Sequence, residues 1–374
     1  MLQLRVPLPR FVSAGEVLGG AGSIGALRAL DAARVAVLAS PSVLSKHGEL
    51  LKRSMGAEAV ELIGMPRGEP ALGKLAPVLA QMESFQPDWI VAVGGGSVLD
   101  GAKIAWIFYE HPAVDHDRIF RVGGVPTLRG KARLVAVPTT TGTGSEVSSS
   151  ALLLDDRTGS KRALVSHDLL PDVAILDPRL AVGCPRDVIV NAGMDALAHA
   201  VESYVSRLKN PLADSLAEKA ASEILSALPS FAKQPEDERL CEKMMNSSLL
   251  AGWVQNQKVP GVGHAIAHQL GGFGVAHGHA TGRLLAPAIT YNCQSAEVRQ
   301  QYDSLANAVG LSSAEELAEK IRSLVETLEM PALDGKFDES MESIVTGAIE
   351  DPCARMNPLP VEAKAVEQIL EASR

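Results

Sequence analysis

Residues 89–106 read "WIVAVGGGSVLDGAKIAW". Five apolar residues, rich in β-branched types, run straight into three glycines, and a helix-length pattern follows. A strand without polar alternation is buried on both faces, which is the mark of a parallel sheet covered by helices. The neighbours repeat the theme: "RVAVLAS" (34–40), "ARLVAVPTT" (132–140) and "DVAILD" (172–177) are strands, while 70–84 and 97–108 are helices. The first half is therefore an α/β domain of Rossmann-like type, whose ligands sit beyond the carboxyl ends of its strands.

Two loops occupy those ends. Gly94, Gly95 and Gly96 turn tightly, and Ser97 is expected to cap the helix that carries Asp100 in its first turn. Glycines let backbone N–H groups approach a phosphate, and a helix N-terminus favours negative charge. In "PTTTGTGSEVSSS" (138–150), Thr139, Thr140, Thr141 and Thr143 offer hydroxyls, and Gly142 and Gly144 among them permit close approach. Together they predict a nucleotide crevice. The literal G-x-G-x-x-G of "GGAGSIG" (19–25) lacks a convincing strand before it and is set aside, and no P-loop motif is present.

Past residue 180 the pattern turns helical: 186–206, 211–228, 240–253, 296–308, 314–328 and 361–372 are periodic and alanine-rich. A boundary follows, with an α/β cofactor domain over 1–182 and an all-helical metal-binding domain over 183–374. Segments 111–131 and 329–340 read as surface loops by composition.

The helical half holds "NAGMDALAHAVESYVS" (191–206) and "GHAIAHQLGGFGVAHGHATG" (263–282). Asp195 and His199 are four apart, as are His264 and His268, so each pair shares a helix face. His277 and His279 follow a glycine-rich turn. One carboxylate and several imidazoles converging from facing helices suit Zn²⁺ or Fe²⁺. With no H-E-x-x-H, a metalloprotease-type base is missing. A divalent ion beside a nicotinamide would instead polarise an alcohol or carbonyl oxygen for hydride transfer.

The net charge of −9 argues against a nucleic-acid surface. No apolar run is long enough to span a membrane, and "MLQLRVPLPRF" (1–11) lacks a signal-peptide core. Cys184, Cys241, Cys293 and Cys353 are widely spaced and contain no C-x-x-C, which suggests reduced thiols in the cytoplasm.

In "VGGGSVLDGAK" (93–103), "PTTTGTGSEV" (138–147) and the two histidine-bearing segments, the chain resembles the iron-containing (group III) alcohol dehydrogenases, relatives of glycerol dehydrogenases and dehydroquinate synthases. The resemblance implies an N-terminal Rossmann-like domain and an all-helical C-terminal domain, the dehydroquinate synthase-like architecture. It implies metal ligands Asp195, His199, His264 and His277, with Fe²⁺ or Zn²⁺ as occupant. His268 would lie near nicotinamide and substrate as a proton relay. NAD or NADP would meet Gly95, Gly96, Ser97 and Asp100 at its pyrophosphate. Thr139, Thr140, Thr143, Lys161 and Leu180 would make the remaining contacts. A homo-oligomer, dimer or larger, is implied as well.

Two departures bear on specificity. Ser40 or Pro41 stands where many NAD-preferring relatives carry an aspartate for the adenosine ribose, so a 2′-phosphate is not repelled. Gln255, Asn256, Gln257 and Lys258 replace apolar residues before the metal histidine; they read either as a solvated helix face or as a polar pocket for an anionic substrate. The competing functions are a dehydroquinate-synthase-like lyase, which would turn over without net NADH change, and a non-enzymatic metal-binding protein, which would bind no nicotinamide.

Overall fold

The computed structural model describes residues 12–121, 123–155, 161–333, 337 and 340–374. The expectation about "MLQLRVPLPRF" (1–11) lies outside them. Unbroken apolar runs at its centre build a six-stranded parallel sheet from β1 (Glu16–Gly19), β2 (Arg34–Ala39), β3 (Ala59–Gly64), β4 (Trp89–Gly94), β5 (Arg133–Pro138) and, after the antiparallel hairpin β6 (Ser150–Leu154) and β7 (Lys161–Val165), β8 (Val173–Leu176). The order is β1-β8-β5-β4-β2-β3. In register, Val91 pairs with Val37 on one side and Val135 on the other.

Each strand sends alternate residues to opposite faces. Ala36, Leu38, Ile90, Ala92, Leu134 and Ala136 pack with α2 (Leu72–Phe85) and α3 (Gly96–Glu110), while Val37, Val91, Val93, Val135 and Val137 pack on the other face with Ile24, Leu27 and Leu51, the last from α1 (Pro41–Ser54). Each fully buried Val or Leu stabilises the fold by about 1.5–3 kcal/mol. Chain order reverses between β2 and β4, since β3 lies on one side of β2 and β4 on the other. That reversal opens a crevice at the strand ends, flanked by Ser40 and Gly94.

The helical half comprises α4 (Arg186–Tyr204), α5 (Pro211–Lys233), α6 (Glu238–Gln257), α7 (Val262–Leu270), α8 (His277–Asn292), α9 (Ala296–Ala308), α10 (Ala314–Thr327), α11 (Met341–Glu350), α12 (Pro352–Met356) and α13 (Ala363–Glu371). Alanine-rich α4 is buried on every side from Met194 to Ser203, and α5, α6 and α8 pack round it. Small side chains permit that enclosure. No described helix is long and apolar enough to cross a membrane.

Several expectations need correction. β1 is a strand despite its polar look, because an edge strand of a sheet tolerates an exposed Glu16. "GGAGSIG" therefore does follow a strand, but it opens a 3₁₀ turn (Ser23–Ala29), and the Gly22 and Ile24 amides donate to the fully buried carboxylate of Asp177. Those two donors are satisfied within the protein. The helix after β4 begins at Gly96 with Gly95 at its N-cap, so Ser97 lies within the first turn and caps nothing. Residues 111–131 are not wholly a surface loop, since Ile119, Val125 and Leu128 join the sheet core.

Candidate active site

The stripe on α4 that carries Asp195 and His199 continues one turn further to Glu202, at positions i, i+4 and i+7. α7 brings His264 and His268 from the facing side, and His277 is the first residue of α8. Asp195, His199 and His264 are nearly inaccessible, and His277 sits closer to the rim with its side chain 20% exposed.

The geometry is specific. Around the Asp195 carboxylate stand three imidazole Nε2 atoms: His277 at 3.4 Å, His264 at 3.7 Å and His199 at 4.0 Å. These separations are too long for good hydrogen bonds. Two donor atoms each about 2.1 Å from a tetrahedral ion stand roughly 3.4 Å apart, so the gaps match a cation between the side chains. Asp195, His199 and His264 offer ligand atoms that all lie within 4.8 Å of one another. Of the three ring nitrogens, the Nε2 of His264 is buried without any hydrogen bond. Orphaned nitrogens of this kind carry a desolvation cost unless something binds them.

The surroundings fix this cluster. Glu202 accepts the Nδ1–H of His264 at 2.5 Å and the amides of Gly263 and His264 at 2.7 and 3.1 Å, which caps α7. Because a carboxylate only accepts, His264 keeps its proton on Nδ1 and turns the Nε2 lone pair toward Asp195. Thr281 donates to Asp195 Oδ1 at 3.1 Å. Burial lowers the pKa of His199 to about 4, and burial followed by the neighbouring His268 and His264 holds His277 well below its ordinary value. Both are neutral imidazoles, the form that ligates metal. For His264, burial opposes protonation but the hydrogen bond and charge of Glu202 outweigh it, and the net direction is up. Replacing Glu202 with glutamine is expected to weaken metal affinity by about 10- to 100-fold, measured by competition with a chelator. Unchanged affinity would remove Glu202 from this role.

His268 lies beside the cluster, its ring nearly parallel to that of His277 with centroids 5.3 Å apart. Its Nδ1 donates to Asp351 Oδ2 at 2.9 Å.

The sheet half presents its two loops to this cluster. Gly95 and Gly96 are partly exposed and Ser97 is exposed at the start of α3, while Thr140 and Thr143 are half-buried and Thr139 is buried. A Cβ on Gly96 would lie 2.6 Å from Thr143 Cγ2, so its absence lets the two loops pack together. The threonine loop also reaches α4, since a Cβ on Gly142 would lie 2.2 Å from the Ala192 carbonyl oxygen. Lys161 pairs with Glu69 at 2.6 Å and packs against Gly271 at the end of α7, which places it between the halves.

Two other expected cofactor residues sit differently. Asp100 accepts from Ser145 Oγ at 2.6 Å and from the Leu152 amide at 3.0 Å, tying the threonine loop to the hairpin. Leu180 is 4% exposed and packs in the sheet core.

The run 255–258 is neither a solvated face nor an anion pocket. Gln255 donates to the Thr143 carbonyl, Asn256 accepts from the amide and hydroxyl of Ser149, and Gln257 bonds the backbone of Val12 in both directions. Lys258 is 1% exposed and engages Asp214 and the Tyr204 carbonyl. Gln255, Asn256 and Gln257 join the two halves while Lys258 bonds within the helical half, and the basis for expecting an anionic substrate goes with them. His279 bonds the Pro331 carbonyl at 2.7 Å, away from the cluster.

Sequence reasoning missed Glu202 and Asp351. The i+7 spacing from Asp195 could have revealed Glu202, whereas nothing near Asp351 points to His268, 83 residues away.

Residues 15–178 match the family model "Iron-containing alcohol dehydrogenase" and residues 189–374 match "Fe-containing alcohol dehydrogenase family, C-terminal". The chain belongs to the iron-containing alcohol dehydrogenase family. Among curated relatives, an NADPH-dependent butanol dehydrogenase of Clostridium saccharobutylicum is 32% identical, with 98% of this chain and 97% of that protein covered. A 1-propanol dehydrogenase of Salmonella typhimurium is 35% identical over 81% of this chain and 82% of its own. Among solved structures, the iron-containing alcohol dehydrogenase of Thermococcus thioreducens superposes with a TM-score of 0.89 at 30% identity, covering 98% of this chain and 100% of that one. As an iron-containing alcohol dehydrogenase, the protein is an oxidoreductase acting on alcohols with iron and NAD(P).

Proposed function

We propose that the chain interconverts short aliphatic primary alcohols and their aldehydes, with NADPH as the preferred reductant and a divalent iron held by Asp195, His199, His264 and His277. The observation that carries this reading is the ring of three Nε2 atoms at 3.4–4.0 Å from one buried carboxylate. When bound, the metal supplies Lewis acidity at the substrate oxygen and the nicotinamide supplies or accepts the hydride.

The protein's own residues do the rest. α4, α7 and the start of α8 hold the ligands at fixed distances, so little reorganisation opposes reaction. Gly95, Gly96 and Ser97 at the start of α3 offer first-turn amides to a pyrophosphate. Thr139, Thr140, Thr143, Lys161, Asp100 and Leu180 complete the proposed cofactor site. Direct contact fits Thr140 and Thr143 best, with Asp100 and Leu180 shaping the loops from behind. His268, fixed at Nδ1, moves a proton at Nε2. The division at residues 182 and 183 assigns the cofactor to the sheet half and the metal to the helical half, with substrate between. The butanol and propanol named for the relatives above support a short aliphatic substrate.

The NADPH preference rests on Ser40. It caps α1 at the end of β2, and the first turn of α1 carries no acidic residue, so nothing there repels a 2′-phosphate. Wild-type enzyme should show kcat/KM at least about tenfold higher with NADPH than with NADH, and Ser40→Asp should reverse the order. An NADH preference in the wild type would refute it.

The central test mixes protein loaded anaerobically with Fe²⁺, NADPH and a panel of C2–C5 aldehydes, and follows absorbance at 340 nm. Aldehyde-dependent loss that a chelator abolishes is the expected result; its absence across the panel would reject hydride transfer. A Zn²⁺-loaded arm compares the other ion that this ligand set accommodates. All four cysteines are free thiols, which supports a cytoplasmic setting. The homo-oligomer rests on the family resemblance, and light scattering behind size exclusion tests it.

A further inference from the structure

Asp351 lies at the junction of α11 and α12, on neither of the segments that carry the metal cluster. Its two oxygens do different things. Oδ1 accepts the Cys353 amide at 2.8 Å and caps α12, while Oδ2 accepts from His268 Nδ1 at 2.9 Å. Capping a helix needs one oxygen, so the second bond is not explained by α12. Cys353 lies close enough to form a ligand-like trio with His268 and Asp351, but both Asp351 oxygens already have donors. The trio is better described as a hydrogen-bonded support than as a second metal site.

That support has a chemical consequence. An imidazole can flip about its Cβ–Cγ bond and can carry its proton on either nitrogen. A carboxylate facing Nδ1 removes both freedoms: Nδ1 must hold the proton, and Nε2 is left as the acceptor edge. The parallel His277 ring confines the imidazole from one side. With the side chains of both His268 and Asp351 largely buried, at 13% and 10% exposure, water competes poorly for the bond. We propose that Asp351 is the positioning residue of His268, fixing its ring orientation and its Nδ1–H tautomer so that Nε2 faces its proton-transfer task ready to accept. The assignment of that task rests on the dehydrogenase reading above; the tautomer does not.

Two variants separate positioning from capping. D351N keeps the shape and the capping oxygen but turns an NH₂ toward His268, which forces the proton to Nε2. D351S keeps a capping hydroxyl and leaves Nδ1 without a partner. Both are expected to retain metal content and thermal midpoint, to keep KM within about threefold, and to lose about 10- to 100-fold in kcat. Long-range ¹H–¹⁵N spectra of histidine-labelled, metal-free protein, with His268 assigned by its loss in H268Q, should show the proton on Nδ1 in the wild type and on Nε2 in D351N. Wild-type turnover in both variants would reduce Asp351 to a helix cap and overturn the proposal, as would an Nε2–H tautomer in the unmodified protein. If wild-type protein reduces no aldehyde while its His268 is protonated on Nδ1, the dehydrogenase reading fails and the positioning stands.

Discussion

Asp195→Ala is expected to leave the protein folded and nearly metal-free, with kcat/KM lowered by at least about 10³-fold, equivalent to about 4 kcal/mol of transition-state stabilisation. The carboxylate is the one anionic member of the ring and faces all three Nε2 atoms. Without it, three neutral imidazoles must hold a dication with no anionic ligand to offset its desolvation, since the Glu202 carboxylate stands behind His264. Folding should survive, because the hydrogen bond to Asp195 is the single one from Thr281, and the surrounding helix is packed through alanines and leucines. Metal analysis and circular dichroism on the same preparation check both halves of the expectation. Stoichiometric iron in the variant would remove Asp195 from the ligand set.

The second large effect comes from a substitution with no chemistry of its own. Gly278→Ala should lower stability by about 1–3 kcal/mol and reduce metal affinity together. Helix propensity argues the other way, since alanine in place of glycine favours a helix by about 1 kcal/mol. Packing decides the sign. A Cβ at this position would lie 2.0 Å from the Asn191 carbonyl oxygen, a backbone atom one turn before Asp195. Neither helix can yield without moving the other, so α8 must shift with His277 at its first residue. Thermal melts with and without added Fe²⁺ would show it. A melting temperature equal to or above that of the wild type, with full metal content, would contradict the close-approach argument.

How much of this was legible depended on where each residue finds its partners. The four central strands were readable because strands buried on both faces appear as unbroken apolar runs. β1 and β3 escaped because edge strands carry glutamates, Glu16 and Glu61, and the hairpin β6–β7 because serines and charges flank it. The α4 and α7 histidines stood out through four-residue spacing, a local signal that a helix converts into a shared face. Asp351 gave no such signal, since its neighbours mark only a helix start. The polar run 255–258 misled for a related reason. Gln257 and Asn256 bond Val12, more than 240 positions away, and polarity alone does not distinguish a residue facing water from one facing distant backbone.

The sheet's order sets a timetable for synthesis. β1 opens the sheet in sequence yet pairs only with β8, the last strand of the sheet half to be made. A ribosome adding about 5–20 residues per second must work for on the order of ten seconds or more before Glu16 can meet Val173. The leading segment then waits longer still for Gln257 to clasp Val12. In the nascent chain this stretch is an unpaired edge, and chaperones that shield emerging polypeptides should engage it there.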